Sequence, residues 1–276
     1  MELEKLLQMD AEVLNEKRFA FMACVNDKIL YKQCLKHIDS LRIPDGYSIE
    51  KIDIVGAKNI NEAYNNAMKR SDAKFKIYLH QDTFIKNKNF LNEICRIFAQ
   101  DLSVGMIGVV GARRLPSNGI WFKNNWWYCY GKVLEYRRGG ILQGILGPLN
   151  KRKERIVSFR KVQGEFMPMV VIDGLIMITQ YDIPWKTDLY GGFLYYEGPH
   201  CIEFIKRGYK VIIPAQKTPW VMHYGPRIEK SKAEHRTIWG ELEANMKTFR
   251  EEYKDFIGQD VKALILKSSR DKKSYA

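Results

Sequence analysis

Apolar and polar positions alternate along the chain between two periods, and the change of period marks the elements. Phe19 to Val25 is an unbroken apolar run, the pattern of a strand covered on both faces. It stops at Asn26-Asp27, after which Leu30, Cys34, Ile38 and Leu41 recur at helical spacing. Pro44-Asp45-Gly46 is a turn. The pattern then predicts a strand over Ile52 to Val55, a helix over Glu62 to Arg70, and a strand from Phe75 to Leu79 ending in His80-Gln81-Asp82. A helix with Phe90, Leu91, Ile94, Ile97 and Phe98 inward follows, then a strand over Val104 to Val110. Strands alternating with helices at this spacing predict an α/β fold, a mainly parallel sheet flanked by helices.

The rhythm breaks between residue 113 and about residue 165, which read as long loops and short hairpin strands over the sheet edge. This stretch holds Arg113-Arg114, the cluster Trp126-Trp127-Tyr128-Tyr130, Arg137-Arg138 and the basic run Lys151-Arg152-Lys153. The buried-strand pattern returns over Val170 to Thr179, interrupted by Asp173-Gly174. A helix near Pro199 to Arg207 and a strand over Tyr209 to Ile213 come next. Trp239, Leu242, Met246, Phe249, Tyr253 and Phe256 then form one stripe of a long C-terminal amphipathic helix. The expected division is an N-terminal polar helix over 1–18, a catalytic domain over 19–226 with halves at 19–112 and 113–226, and a C-terminal helical segment over 227–276.

Composition narrows the class. The 276 residues carry a formal net charge of +13, which favours anionic partners without choosing among nucleic acid, an acidic membrane surface and phosphorylated substrates. Five scattered cysteines with no C-x-x-C pair argue against a disulfide framework and for a reducing cytoplasm. The charged N-terminus is no signal peptide, and no stretch is long and apolar enough to span a bilayer. Contact with a membrane would be peripheral, from its cytoplasmic side.

In an open α/β sheet, ligands bind beyond the carboxyl ends of the strands. Three strand ends carry polar residues there: Asn26-Asp27, Lys58-Asn59 and His80-Gln81-Asp82. No G-x-x-x-x-G-K-[ST] loop exists, and Gly105, Gly108 and Gly111 lie within a strand pattern, which counts against ATP and NAD sites. Without a phosphate-wrapping loop, a diphosphate needs another source of positive charge, commonly a divalent cation, and magnesium or manganese takes one or two carboxylates plus substrate phosphates. Asp82 stands where such a ligand belongs; on spacing alone it reads equally as a turn or capping residue.

The segment Tyr78-Leu79-His80-Gln81-Asp82-Thr83-Phe84-Ile85 resembles the Asp-x-Asp region of glycosyltransferase family 2, in its "HQD" variant. Asn61-Glu62-Ala63-Tyr64-Asn65-Asn66-Ala67 resembles the helix before it, and Met106 to Gly111 with Leu115-Pro116 and Gly119-Ile120-Trp121 the strand and loop after it. Val171-Ile172-Asp173-Gly174, Gly192-Phe193-Leu194-Tyr195-Tyr196-Glu197 with Cys201 and Gly208 to Val211, and Met222-His223-Tyr224-Gly225 resemble later blocks, in the family's order over about 19–255. The resemblance implies a GT-A type, Rossmann-like fold and inverting transfer from a UDP- or GDP-sugar to a glycan or lipid-linked glycan acceptor. It implies Glu197 as general base with Asp173 as second choice, and Asp82 with His223 as ligands of manganese or magnesium. Val25, Asn26, Lys58, Asn65, His80 and Gln81 would contact the donor.

The chain departs from the pattern twice. Gln81-Asp82 leaves one carboxylate where many members have more, and Pro199 replaces a second acidic residue. A nucleotidyltransferase would want a basic glycine-rich loop after the first strand, which Val25-Asn26-Asp27-Lys28 is not. Nucleic-acid binding has charge in its favour but no binding-module signature. An inactive relative serving as a binding subunit stays open because the acidic motif is sparse. Trp126, Trp127 and Tyr128 read either as a stacking platform for a sugar or as a hydrophobic cluster under a loop.

Overall fold

The computed structural model describes residues 14–137, 153–225 and 232–265. Lys151, Arg152 and Arg138 lie outside them. The chain runs β1 (Asn15–Val25), α1 (Lys28–Asp39), β2 (Ser48–Val55), α2 (Ile60–Lys69), β3 (Ala73–Leu79), β4 (Thr83–Ile85), α3 (Phe90–Gln100), β5 (Val104–Ile107) and β6 (Val110–Ala112). It continues with β7 (Cys129–Arg137), β8 (Lys153–Ser158), β9 (Phe166–Met169), β10 (Val171–Ile172), β11 (Ile176–Thr179), α4 (Glu197–Lys206), β12 (Lys210–Pro214), β13 (Val221–His223) and α5 (Lys232–Glu252). The expected N-terminal helix fails where it can be followed. Residues 15–18 are the start of β1, held by an ion pair from Arg18 to Asp72 at 2.6 Å and by parallel pairing with β2 from Arg18 onward; residues 1–13 lie outside the described structure.

Seven strands form the main sheet in the order β2-β1-β3-β11-β5-β12-β9. β1 pairs in parallel with β2 and β3, and β12 with β5, but β11 runs antiparallel to both its neighbours and β9 antiparallel to β12. The sheet is therefore mixed rather than mainly parallel. A second sheet, β10-β6-β7-β13-β4 with β8 beside β7, lies against it.

Two apolar runs are each split between the sheets, the first read as one strand and the second as a strand interrupted at Asp173-Gly174. Val104 to Val110 becomes β5 in the large sheet and β6 in the small one, and Val170 to Thr179 becomes β10 and β11. The second break is chemical. Asp173 Oδ1 accepts the Leu175 N–H at 2.9 Å, closing a local turn that competes with the ladder. Gly174 passes so close to Tyr196 that an added Cβ would sit 2.5 Å from its hydroxyl. The two breaks let one polypeptide supply both walls of a cleft.

The core lies between the large sheet and its helices. Phe90, Leu91, Ile94 and Ile97 of α3 are fully buried, as the 3.6-residue period requires. The C-terminal stripe is only partly a packing seam. Phe249 and Tyr253 are buried and Leu242, Met246 and Phe256 half-buried, but Trp239 is 60% exposed, and α5 ends at Glu252 before Tyr253. The polar face of α5 contributes as much. Asn245, itself buried, donates to the carbonyls of Gly191 and Leu194 and accepts the Gly191 N–H; Glu241 accepts the Phe193 N–H; Glu252 holds Lys186 and Tyr190. These contacts clamp the loop that enters α4.

Candidate active site

Backbone pairing brings the chemistry together. β1, β2 and β3 run in parallel, so Val25, Val55 and Leu79 end on one edge of the sheet. β11 starts at that edge, with Ile176 opposite Leu79, and Leu175 accepts the His80 N–H and the Thr83 hydroxyl, each at 3.1 Å. Asp173, two residues before, is thereby placed beside the end of β3. From the other side β13 pairs with β4, His223 opposite Thr83, and the Tyr224 N–H donates to the Asp82 carbonyl at 2.8 Å. Asp82 and His223, about 140 positions apart, thus meet through backbone hydrogen bonds that do not depend on their side chains.

Asp82 sits between two imidazoles. His223 Nε2 lies 3.4 Å from Asp82 Oδ2 and His80 Nδ1 lies 3.9 Å from Oδ1. One donor atom from each of the three residues lies within 4.8 Å of the others. Burial alone would raise the Asp82 carboxyl, but the His223 hydrogen bond and the two imidazoles hold it below its ordinary value. Burial depresses His80, against the pull of Asp82 and Asp173. His223 stays above its usual value despite burial, because Asp82, Asp173 and Glu135 face it.

Tyr196 settles the tautomer of His80. Its hydroxyl donates to the Gly174 carbonyl at 2.9 Å, which spends its single proton. The contact of 2.7 Å to His80 Nε2 must then run from the ring N–H to the tyrosine oxygen. The lone pair of Nδ1 is left facing Asp82. An imidazole whose far N–H is fixed by an oxygen acceptor is the arrangement found at metal-binding histidines. Two imidazole nitrogens and one carboxylate make a mixed nitrogen–oxygen donor set of the kind that divalent transition metals accept. The three residues fit a divalent cation.

The cluster opens into a cavity of about 480 Å³ lined by Val25, Asn26, Ile54, Gly56, Ala57, Tyr64, His80, Gln81, Asp82 and Phe193, among others. Four of the expected donor-side residues, Val25, Asn26, His80 and Gln81, line it. Gln81 is also the strut of its rim: its Oε1 accepts the N–H groups of Asn26 and Asp27, both at 2.9 Å, and its Nε2 donates to the Asn26 side chain. Lys58 is exposed and not among the lining residues. Asn65 is engaged elsewhere, its amide bonded in both directions to the Trp185 backbone at 2.8 Å.

Glu197 opens α4, where its charge meets the positive end of the helix. Burial, and then the charge of Asp173, push its carboxyl up to about 8. Its position is set by Tyr195, which holds a left-handed backbone (φ 62°) that a tyrosine adopts only under constraint. The constraint is visible: the Tyr195 hydroxyl donates to the Gly119 carbonyl at 2.5 Å, and its ring packs edge-on against Phe249 of α5. The place of His80 as a third member of the cluster with Asp82 and His223, and of Tyr196 behind it, was not read from the sequence. A histidine two residues from an aspartate at a strand end was the available signal; the tyrosine, 116 positions away, gave none.

An α/β cleft whose strand ends carry a cation-binding cluster beside a nucleotide-sized cavity, with an ionisable carboxylate on a helix start, is the architecture of GT-A type transferases. The chain belongs to the glycosyltransferase-like family, whose profile matches residues 20–241, and is a transferase of that class. Among solved structures, the mannosyltransferase PcManGT from Pyrobaculum calidifontis, in complex with GDP-Man and Mn2+, aligns with a TM-score of 0.51 at 11% identity, covering 97% of this chain and 74% of that one. TarS from S. aureus aligns with a TM-score of 0.47 at 8% identity, covering 86% and 73%. No match is found among curated proteins.

Two predictions follow from this geometry. Tyr196→Phe removes the oxygen that orients His80, so manganese affinity measured by calorimetry should fall about 10- to 100-fold with the fold intact. Glu197 has a folded value near 8 against an ordinary 4.5. Between these values the folded state holds a proton that the unfolded chain has lost, so stability present below about pH 4.5 is lost as pH rises towards 8. Glu197→Gln should melt like wild type near pH 5 and above it at pH 8.5 and beyond.

Proposed function

We propose that the protein transfers a hexose from a nucleoside-diphosphate sugar, a UDP- or GDP-sugar, to a hydroxyl of a glycan or glycoconjugate, with inversion at the sugar carbon. The observation that carries this reading is the convergence of His80, Asp82 and His223 at the mouth of the cavity that ends β1 and β3. PcManGT, of the same fold, was solved with GDP-Man and Mn2+, which agrees with a nucleotide sugar and a divalent cation here. A cation bound at the cluster would neutralise the diphosphate and stabilise it as it leaves.

The protein's own residues account for the remaining steps. The apolar wall of Val25, Ile54 and Tyr64 takes the nucleoside, and the Gln81-braced Asn26 loop fixes its edge. Glu197 takes the acceptor proton during in-line attack. A base must be ionised yet hold its proton tightly once taken, and a carboxylate raised towards 8 does the second far better than one near 4.5. Asp173, a second carboxylate close enough to raise Glu197, keeps that proton from being lost backwards.

The reading is tested by a panel of nucleotide sugars with and without manganese. Asp82→Ala should abolish manganese-dependent donor binding. Glu197→Gln should leave donor binding within about twofold and lower transfer by about 100-fold or more. Donor affinity unchanged in Asp82→Ala, with and without the cation, would overturn the assignment.

A further inference from the structure

The loop between β6 and β7 carries a surface that the transfer chemistry does not use. Phe122, Trp126 and Trp127 are 58%, 51% and 60% exposed, adjacent in two short 3-10 turns. Isolated exposed apolar residues are ordinary, but three exposed large aromatics in one short stretch of loop, two of them in ring contact, are not. Cations surround them. Arg160 lies over the rings of Trp127 and Tyr130 at 5.7 and 5.3 Å, and Arg114 over Tyr128 at 5.4 Å, and exposed Lys123 ends the first of the two turns. Among the described residues no carboxylate is paired with Arg114, Lys123 or Arg160.

We propose that this loop docks the protein on an anionic lipid surface, with the aromatic side chains at headgroup depth and the cations on the phosphates. The geometry favours this occupant over a sugar. A stacking platform needs flat ring faces presented side by side, whereas a guanidinium group lies over one face of Trp127 and of Tyr128 and Trp126 meets Trp127 edge-on at 74°. Indole edges framed by arginine and lysine match an interface where one side is apolar and the other negatively charged. The net charge of +13 points the same way. No helix among the described residues is long and apolar enough to cross a membrane, so attachment through this loop would be peripheral.

The loop is also mechanically tied to the active site. Gly119, just before the aromatic turns, accepts the Tyr195 hydroxyl, and the Asn118 carbonyl accepts from Arg250 of α5. A surface seated on the loop therefore lies on the side of the molecule from which Glu197 is held. A lipid-borne acceptor would arrive there already concentrated in two dimensions.

The inference rests on the surface alone and not on the donor chemistry, so the two fail separately. The test is flotation of the full chain with vesicles of phosphatidylcholine alone and of phosphatidylcholine with phosphatidylglycerol. The expected result is binding to the phosphatidylglycerol vesicles only, weakened by salt as exposed charges are screened. Trp126→Ser with Trp127→Ser, and separately Lys123→Gln, which has no packing role, should each weaken partitioning, the double variant about tenfold or more, while soluble-donor hydrolysis is unchanged. Binding to neither vesicle, equal binding to both, or undiminished binding by these variants overturns it. So does loss of affinity for a soluble oligosaccharide in the double variant with vesicles ignored by wild type.

Discussion

The site depends on main-chain pairing at the end of β3. β11 comes in antiparallel on one side and β13 joins β4 on the other, so Asp82 is flanked by Asp173 and by His223 whatever their side chains are. Two carboxylates are thereby held close enough to act on the charge of both imidazoles. Such a group of partly buried ionisable residues is costly without a counter-charge. Mutual hydrogen bonding meets part of that cost, and a divalent cation would meet more of it.

The other half of the cleft is ordered by α5. Its polar face binds the backbone of residues 191–194, and Phe249 packs on Tyr195, so the strained residue before Glu197 is held by a helix remote in sequence. This explains why Glu197 sits at a helix start rather than in a free loop. It also bears on Gly192, whose left-handed backbone favours glycine and where an added Cβ would displace the Glu241 carboxylate from the Phe193 N–H. Glu197 and the aromatic loop share the same anchor, through Tyr195 and Gly119.

Much of this was legible in the sequence, for identifiable reasons. Buried strands and one-sided helices follow from period, and β1, β3 and α3 appear where the apolar runs place them. The run 104–110 reads as a single strand because a change of sheet leaves hydrophobicity untouched, whereas Asp173-Gly174 marks the break within 170–179. The antiparallel course of β11 was not legible either, since a strand buried on both faces looks the same in either direction. In the site, Asp82 and His223 stood out because a charge and an imidazole end apolar runs. Asn65 and Trp239 misled in opposite ways. The first is a polar residue used to hold a loop, the second an apolar residue on the heptad stripe that faces solvent. The Tyr196 hydroxyl behind His80 depends on a contact across 116 residues, which no local pattern records.

The central claim is that His80, Asp82 and His223 bind one divalent cation. Pulsed electron paramagnetic resonance of manganese added to the protein reports directly bound imidazole nitrogens. The account predicts modulation from two nitrogens in the wild type, from one in His223→Gln, and no bound manganese in Asp82→Ala. A manganese signal without nitrogen coupling, or one unchanged in His223→Gln, would contradict it.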